Sequence, residues 1–229
     1  RTHAQMSARK HYNTMQTASG PVLLSFGYRA AGVLPVWVDS LNDRRKALLA
    51  VETRFEGFWA RRALHPLGGK IDDIDRGDSA ETAAREWYEE LASACPPGIT
   101  QDKLHKLLLS AETVVLPVPS GKYILYVLRL PCGARSIDSM LEAAPQTFDP
   151  QSPGAEAESL IWADLDTIVH CYRTKTKLDT PKHGPVPLSS FLEQVLGDCT
   201  KADSPAMRVI GPSVAPCPSP SQTLPGNQS

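Results

Sequence analysis

Short apolar runs separated by polar turns predict strands on both sides of one long helix. Residues 30–38 are almost continuously apolar and indicate a buried strand, with an edge or a bulge at Pro35. Residues 47–51 predict a second strand that forms a hairpin with the first. A later pair of strands is predicted at residues 107–118 and 123–130, where Ser-Gly supplies the turn.

The clearest helix is predicted from about residue 79 to residue 95. Its apolar residues recur at alternating spacings of four and three, and they form one stripe that must pack on a sheet or another helix: Ala80, Ala84, Trp87, Leu91 and Ala94. Asp78 stands at the N-cap position, and the prolines at 96–97 end the helix. Ahead of it, residues 58–67 predict a short strand followed by a turn at the glycine pair 68–69.

Beyond a long loop at residues 131–155, the chain returns to regular patterns. Residues 159–162 predict a strand, residues 165–168 a short helix, and residues 188–196 a last amphipathic helix. Strand and helix patterns therefore alternate along the chain, which predicts an α/β fold with one domain.

Composition divides the chain into three parts. Residues 1–25 lack a sustained pattern and predict an extension, residues 26–199 the domain, and residues 200–229, rich in Ser and Pro, a disordered tail. Residues 1–38 contain no Asp or Glu, which is typical either of an organelle-targeting remnant or of a plain polar extension. A cytoplasmic location is predicted, with organelle targeting left open.

Charge and cysteine content exclude several classes of protein. The 24 basic residues nearly balance the 25 acidic ones, so binding of a polyanion through a basic surface is not expected. The five cysteines form no CxxC pair, which argues against a zinc site or a disulfide framework and favours a reducing compartment. No apolar run is long enough for a membrane span, so no membrane partner is predicted.

Three acids make the predicted helix chemically unusual. At about 100° per residue, Glu86, Glu89 and Glu90 lie along one flank of the apolar stripe. Like charges at this spacing repel each other, and the helix dipole disfavours negative charge in the C-terminal half. A solvated acidic face is one explanation. A hard divalent cation is the other, because carboxylate oxygens are the ligands that Mg²⁺ prefers.

The segment from Gly69 to Ser93 resembles the signature of the Nudix hydrolase family, G-x5-E-x7-R-E-U-x-E-E-x-G-U, where U is a bulky aliphatic residue. The matching residues are Leu67-Gly68-Gly69-Lys70 and Ala84-Arg85-Glu86-Trp87-Tyr88-Glu89-Glu90-Leu91. The distance from Gly69 to Arg85 exceeds the pattern by two residues, and Gly77 falls where the first glutamate is expected. Two further positions differ in residue type: Trp87 and Ala92.

The resemblance implies a Nudix-type α/β/α sandwich with a mixed β-sheet, in which the catalytic helix follows a Gly-Gly turn. It implies Mg²⁺ or Mn²⁺ held by Glu86, Glu89 and Glu90, with Arg85 orienting a glutamate through a salt bridge. Asp78 either replaces the missing first acid at the metal or only caps the helix. The resemblance also implies one more acid from a loop, as a metal ligand or a general base. The candidates are Glu156 and Glu158, of which Glu158 is assigned to the metal.

The implied reaction is metal-dependent hydrolysis of a diphosphate linkage, with Glu86, Glu89 and Arg85 as catalytic residues. Substrates of this kind are nucleotide sugars, dinucleoside polyphosphates, coenzymes, inositol pyrophosphates and capped RNA. Gly69, Lys70 and Arg54 are the candidate substrate-binding residues, and the cations near the box offer further contacts: Arg61, Arg62 and His65. A nucleotide-binding or regulatory module without catalysis and an isomerase on the same fold are the alternatives, and the sequence leaves the oligomeric state open.

Overall fold

The computed structural model describes residues 12–38, 44–56, 59–91, 100–110, 113–119, 122–130, 143–151 and 156–199. The strands are β1 Tyr12–Thr17, β2 Gly20–Tyr28, β3 Ala30–Val38, β4 Arg45–Glu56, β5 Trp59–His65, β6 Leu67–Lys70, β7 Thr113–Val118, β8 Tyr123–Leu130, β9 Ser159–Asp164, β10 Leu178–Thr180 and β11 Gly184–Val186. The helices are α1 Ser79–Leu91, α2 Gln101–Leu108, α3 at 143–147, α4 Leu165–Thr174 and α5 Ser190–Cys199.

Seven strands form one mixed sheet at the centre of the fold. Its main path runs β5-β4-β3-β8-β7, with β6 beside β3 and β9 beside β4. The β3–β8 pair is parallel, and the other pairs of this sheet are antiparallel. β6 pairs with the first half of β3 and β4 with its end, so the sheet branches where the chain leaves β6 for α1.

Alternating side chains along each strand divide the core into two layers. On one face, Leu48 and Ala50 of β4 belong to the same apolar cluster as Trp87 and Leu91 of α1. On the other face, Leu49 and Val51 of β4 pack with the apolar residues of α4 and α5. Because helices cover both faces, the predicted α/β/α arrangement with a mixed sheet is confirmed.

Three local predictions differ from the structure. Gly68 and Gly69 lie inside strand β6 and not in a turn, since their missing side chains allow close approach to Gly32 and Glu86. The strand predicted from residue 107 begins at Thr113, because Gln101–Leu108 forms α2 behind the N-cap Thr100. Residues 12–25, placed in the predicted extension, form β1 and most of β2, and Gln16 donates its N–H to Ser79 Oγ at 3.1 Å.

Helix α1 begins at Ser79, as the sequence predicts, and the structure describes it to Leu91. The predicted last turn at residues 92–95 and the tail at residues 200–229 lie outside the described residues. Among the helices of the described ranges, none is both long and apolar enough to cross a membrane.

Candidate functional site

The loop before α1 is fixed by two aspartates that cap consecutive turns. Asp72 caps the 3-10 turn Asp73–Asp75. Asp78 then caps α1, since its Oδ1 accepts the N–H of Ala80 at 2.8 Å and that of Glu81 at 3.3 Å. Burial alone would raise the pKa of Asp78, but the His105 imidazole, whose Nε2 lies 3.7 Å from Oδ2, and the two backbone N–H groups lower it. The Asp78 carboxylate therefore caps the start of α1, on the side that faces α2.

Arg85 lies at the centre of the site and is almost buried, with a tenth of its side chain exposed. Its Nε and Nη2 donate to the two carboxylate oxygens of Asp75 at 2.9 and 3.0 Å. Nη2 also donates to the Lys70 carbonyl at 2.9 Å, while Nη1 lies 2.9 Å from Glu86 and 3.2 Å from Glu89. One guanidinium thus joins the loop, the end of β6 and two helix acids.

Asp75, for which the sequence predicted no role, is the main partner of Arg85. Burial would raise the pKa of its carboxyl, but the bonds from Arg85, the Asp72 N–H and the Thr82 hydroxyl hold it below its usual value. Asp75 comes six residues after Gly69, where the Nudix signature places its first acid when counted forward from the glycine. The two additional residues of this chain therefore lie between Asp75 and Arg85. When the signature is aligned backward from Arg85, its first acid falls on Gly77 and the correspondence with Asp75 is missed.

Glu86 and Glu89 lie on the same side of Arg85 but differ in exposure. Glu86 has 16% of its side chain exposed, and its carboxylate fills the space that a side chain on Gly69 would occupy. Burial first, and then the charges of Glu89 and Glu156, raise the pKa of Glu86 against the effect of Arg85. Glu89 is nearly half exposed at 46%, so it reaches solvent at the rim of the site.

Two further glutamates are almost completely buried beside α1. Glu90 is 3% exposed, and Glu52, from β4, is 2% exposed. Burial and the charges of Glu52 and Glu86 raise the pKa of Glu90 well above its usual value, although the Gly68 N–H opposes the shift. Oε2 of Glu90 and Oε1 of Glu52 are buried and, within the described residues, have no hydrogen-bond partner.

The two loop acids before β9 lie in different surroundings. The Glu156 carboxylate is exposed, and its charge raises the pKa of Glu52, Glu86 and Glu90. We call these four residues the acid cluster.

Glu158, which the sequence assigned to the metal, does not join the acid cluster. It accepts hydrogen bonds from the Thr53 hydroxyl and from Arg62, whose Nη2 lies 2.7 Å away. Thr53 alternates with Val51 and Leu49 along β4, and Arg62 pairs with Thr53, so both lie on the α4 and α5 face. Arg62 therefore neutralises Glu158 on the face of the sheet opposite the acid cluster, and the assignment of a loop acid to the metal stays a prediction.

The three candidate substrate residues are placed unequally. Arg54 shares the α1 face of β4 with Glu52, donates to it from Nε at 2.7 Å and keeps 53% of its side chain exposed. Gly69 lies directly under Glu86. The exposed Lys70 is in register with Ala30, on the α4 and α5 face, so only its carbonyl reaches the site.

His65 lies on the α1 face, opposite Ala50 in the β4–β5 pair. Burial first, and then the nearby Arg54 charge, lower the pKa of His65 to about 3. Its imidazole is therefore neutral at physiological pH. Arg62, in contrast, belongs to the Glu158 pair on the other face, whereas Arg61 lies opposite Arg54 and shares its face.

The donor atoms of the acid cluster fit a hard divalent cation, which binds carboxylate oxygens. In the part of the chain that the structure describes, no three His, Cys, Asp or Glu side chains form a group that could hold a metal ion. The fit comes from the buried oxygens of Glu52 and Glu90, since a buried carboxylate oxygen without a partner is costly unless a cation or a proton neutralises it. The cluster is therefore suited to a cation but is not closed around one.

Sequence reasoning missed Glu52 because the second strand was predicted to end at residue 51. β4 continues to Glu56, and in its register Glu52 follows Leu48 and Ala50 on the face that packs against α1. An acid at an inward-facing position of an extended strand was the available signal.

Comparison with known proteins gives structural similarity only. No family model matches the chain, and no curated protein matches it in sequence.

Among solved structures, a Nudix hydrolase from Alicyclobacillus acidocaldarius is 16% identical, with a TM-score of 0.39 over 84% of this chain and 100% of that one. The Nudix hydrolase RenU from M. smegmatis is 15% identical, with a TM-score of 0.36 over 80% of this chain and 90% of that one. The Nudix domain of Shewanella oneidensis NrtR, solved with ADP-ribose, is 15% identical, with a TM-score of 0.36 over 74% of this chain and 85% of that one.

Proposed function

We propose that this chain is a Nudix-type hydrolase that cleaves a diphosphate linkage with the help of Mg²⁺ or Mn²⁺. The observation that carries the proposal is the arrangement on α1, where Arg85 binds Asp75, Glu86 and Glu89 beside the buried Glu90. It combines a fixed guanidinium with acids whose charges are only partly neutralised.

The charge balance of α1 supports a cation as the missing partner. Arg85 is the one cation within hydrogen-bonding distance of Glu86 and Glu89 among the described residues, and it also neutralises Asp75. Glu90 and Glu52 add two buried carboxyls, and among the described residues Arg54 is the cation bonded to Glu52. Two buried acids of like charge destabilise a fold unless they are protonated or bind a cation.

In the proposed site, Glu86, Glu89 and Glu90 would hold the cation, which would neutralise charge on the phosphates and lower the pKa of a bound water. Arg85 orients Glu86 and Glu89 and fixes the helix against the loop. Glu156 is the exposed member of the acid cluster and is the acid available to accept a proton from the attacking water. Asp75 holds Arg85 in place, and Asp78 serves the helix start.

The substrate is a compound with two linked phosphates. N–H groups of the protein bind one of these phosphates. Arg54 is half exposed next to the acid cluster and offers its outer N–H groups to a phosphate, while its Nε binds Glu52. Because Gly69 has no side chain, the Glu86 carboxylate can lie directly above it. The Lys70 carbonyl accepts a hydrogen bond from Arg85. Small-molecule phosphoanhydrides and capped RNA both meet this description.

Turnover of a panel of diphosphate compounds with and without Mn²⁺ tests the proposal. Glu89→Gln is expected to lower metal-dependent turnover by about a hundredfold or more, with a melting temperature that stays close to that of the wild type. Glu193→Gln is the matched control, because Glu193 lies on α5, away from the candidate site. Its side chain is 36% exposed and lies 3.3 Å from Lys175. Nucleotide binding without turnover of any compound would identify the chain as a binding module instead.

A further inference from the structure

We propose that Glu52 is an additional carboxylate ligand of the same cation, so that the site is built from β4 as well as from α1. This inference rests on the proposed function and adds a residue from outside the segment that resembles the Nudix signature. Glu52 lies 17 positions before Gly69, the first residue of that segment, and belongs to strand β4 of the central sheet.

The first support is the place of Glu52 in the sheet. β4 alternates Leu48, Ala50 and Glu52 on the face that packs against α1. Glu52 is 2% exposed and Glu90 of α1 is 3% exposed. A strand and a helix therefore each bury a carboxylate on this side of the sheet.

The second support is the state of the two buried carboxylates. Glu52 Oε2 accepts the Nε–H of Arg54, whereas its Oε1 is buried with no partner in the described residues. Glu90 Oε2 is in the same condition, and the Gly68 N–H serves that carboxylate from the backbone. Each acid thus keeps one buried oxygen available, and the two acids come from different elements.

The Glu158–Arg62 pair shows what a glutamate does when it only binds an arginine. Glu158 lies at the same 2.7 Å from a guanidinium nitrogen as Glu52 does, but it is 31% exposed and uses its other oxygen for Thr53. Glu52 is 2% exposed and leaves its other oxygen without a protein partner. Holding Arg54 in position accounts for one oxygen of Glu52 and leaves the other unexplained.

Calorimetric titration of the metal-free protein with Mn²⁺ tests the inference without any substrate. Glu52→Gln keeps the side-chain shape and an oxygen for Arg54, but it removes the negative charge. We expect this variant and Glu90→Gln each to weaken Mn²⁺ binding by about tenfold or more. Glu158→Gln, the matched control from the other face, should bind within about twofold of the wild type.

The pattern of results separates the two proposals. If Glu90→Gln weakens binding and Glu52→Gln does not, Glu52 only positions Arg54 and the further inference is wrong. If neither variant changes Mn²⁺ binding, the cation site of the proposed function is itself wrong. Equal weakening by Glu158→Gln would also overturn the inference, because the effect would then come from net charge.

A measurement on the wild-type protein covers the case in which Glu52→Gln fails to fold. Mn²⁺ broadens nearby nuclear resonances with a steep dependence on distance, so side-chain carboxyl ¹³C signals report which acids it approaches. We expect the signals of Glu52 and Glu90 to broaden at substoichiometric Mn²⁺ while that of Glu158 stays sharp. A sharp Glu52 signal beside a broadened Glu90 signal would overturn the inference.

Discussion

At the scale of single residues, the site depends on one guanidinium that serves several partners. Arg85 binds Asp75 through two parallel hydrogen bonds, and its remaining nitrogen lies between Glu86 and Glu89. The Asp75 contact, with burial opposing it, raises the pKa of Arg85 further above its already high value. A lysine has no planar fork and cannot reproduce these contacts.

Replacing Arg85 by glutamine should cost stability because it leaves Asp75 buried and charged without a cation. Removal of one partner from a buried pair typically costs about 3–5 kcal/mol, and urea unfolding of the metal-free protein measures it. Lys106→Gln is the control, since the exposed Lys106–Asp102 pair at 2.7 Å should contribute less than about 1 kcal/mol. Similar losses in both variants would show that the Arg85 contacts do not stabilise the fold.

The sequence could predict Arg85 and the three helix acids because fixed spacing on a helix places them together. It could not predict Asp75, since the extra residues between Asp75 and Arg85 change the spacing of the loop. The choice between Glu156 and Glu158 also required the fold. Two positions separate them in sequence, yet Thr53 and Arg62 hold Glu158 on the other face of the sheet.

At the scale of elements, the contact between β6 and α1 depends on the absence of side chains. A Cβ on Gly69 would overlap the carboxylate of Glu86, which is the far end of a flexible side chain. A Cβ on Gly32 would instead overlap the Leu67 carbonyl and the Gly68 Cα of the neighbouring strand. The missing side chain of Gly69 therefore leaves room for an acid, whereas that of Gly32 allows two strands to pair.

Alanine substitutions at the two glycines should separate activity from stability. Gly69→Ala is expected to move Glu86 and to lower turnover by about tenfold or more, with a loss of stability of about 1 kcal/mol or less. Gly32→Ala should lower the stability by several times that amount, roughly 2–4 kcal/mol, because backbone atoms must shift. Turnover and urea unfolding are measured on both variants, and the same pattern in both would contradict this distinction.

Periodicity in the sequence predicts the long helix, the strands that flank it and the α/β class. The apolar stripe of α1 and the alternating residues of the strands can be recognised without a structure. The glycine pair was misread as a turn, since glycine also occurs where backbone and side chains approach closely. β1 and β2 escaped prediction because their residues are mostly half-exposed or exposed, with Leu23 at 75%, so no buried face marked them.

At the scale of the whole molecule, the sheet separates two environments. The α1 face carries the acid cluster with Arg54 and the neutral His65, while the other face pairs its Glu158 with Arg62 and packs against α4 and α5. The net charge of −1 provides no general attraction for an anion. Under the proposed function, the protein's own contribution to binding a phosphate compound therefore comes from the few basic side chains beside the acid cluster.

Arg54 is the cation best placed for this role, because Glu52 anchors its Nε and half of the side chain stays exposed. Hydrogen bonds to charged groups contribute about 1.5–3 kcal/mol, so Arg54→Gln should raise KM for a diphosphate substrate by about tenfold or more. The exposed Arg173, in the last turn of α4, gives the control Arg173→Gln with the same change in net charge. The wild-type KM should increase with added salt, and this dependence should weaken in Arg54→Gln but persist in Arg173→Gln. Equal effects of the two substitutions would mean that net charge, and not the position of Arg54 beside the acid cluster, determines how the substrate is bound.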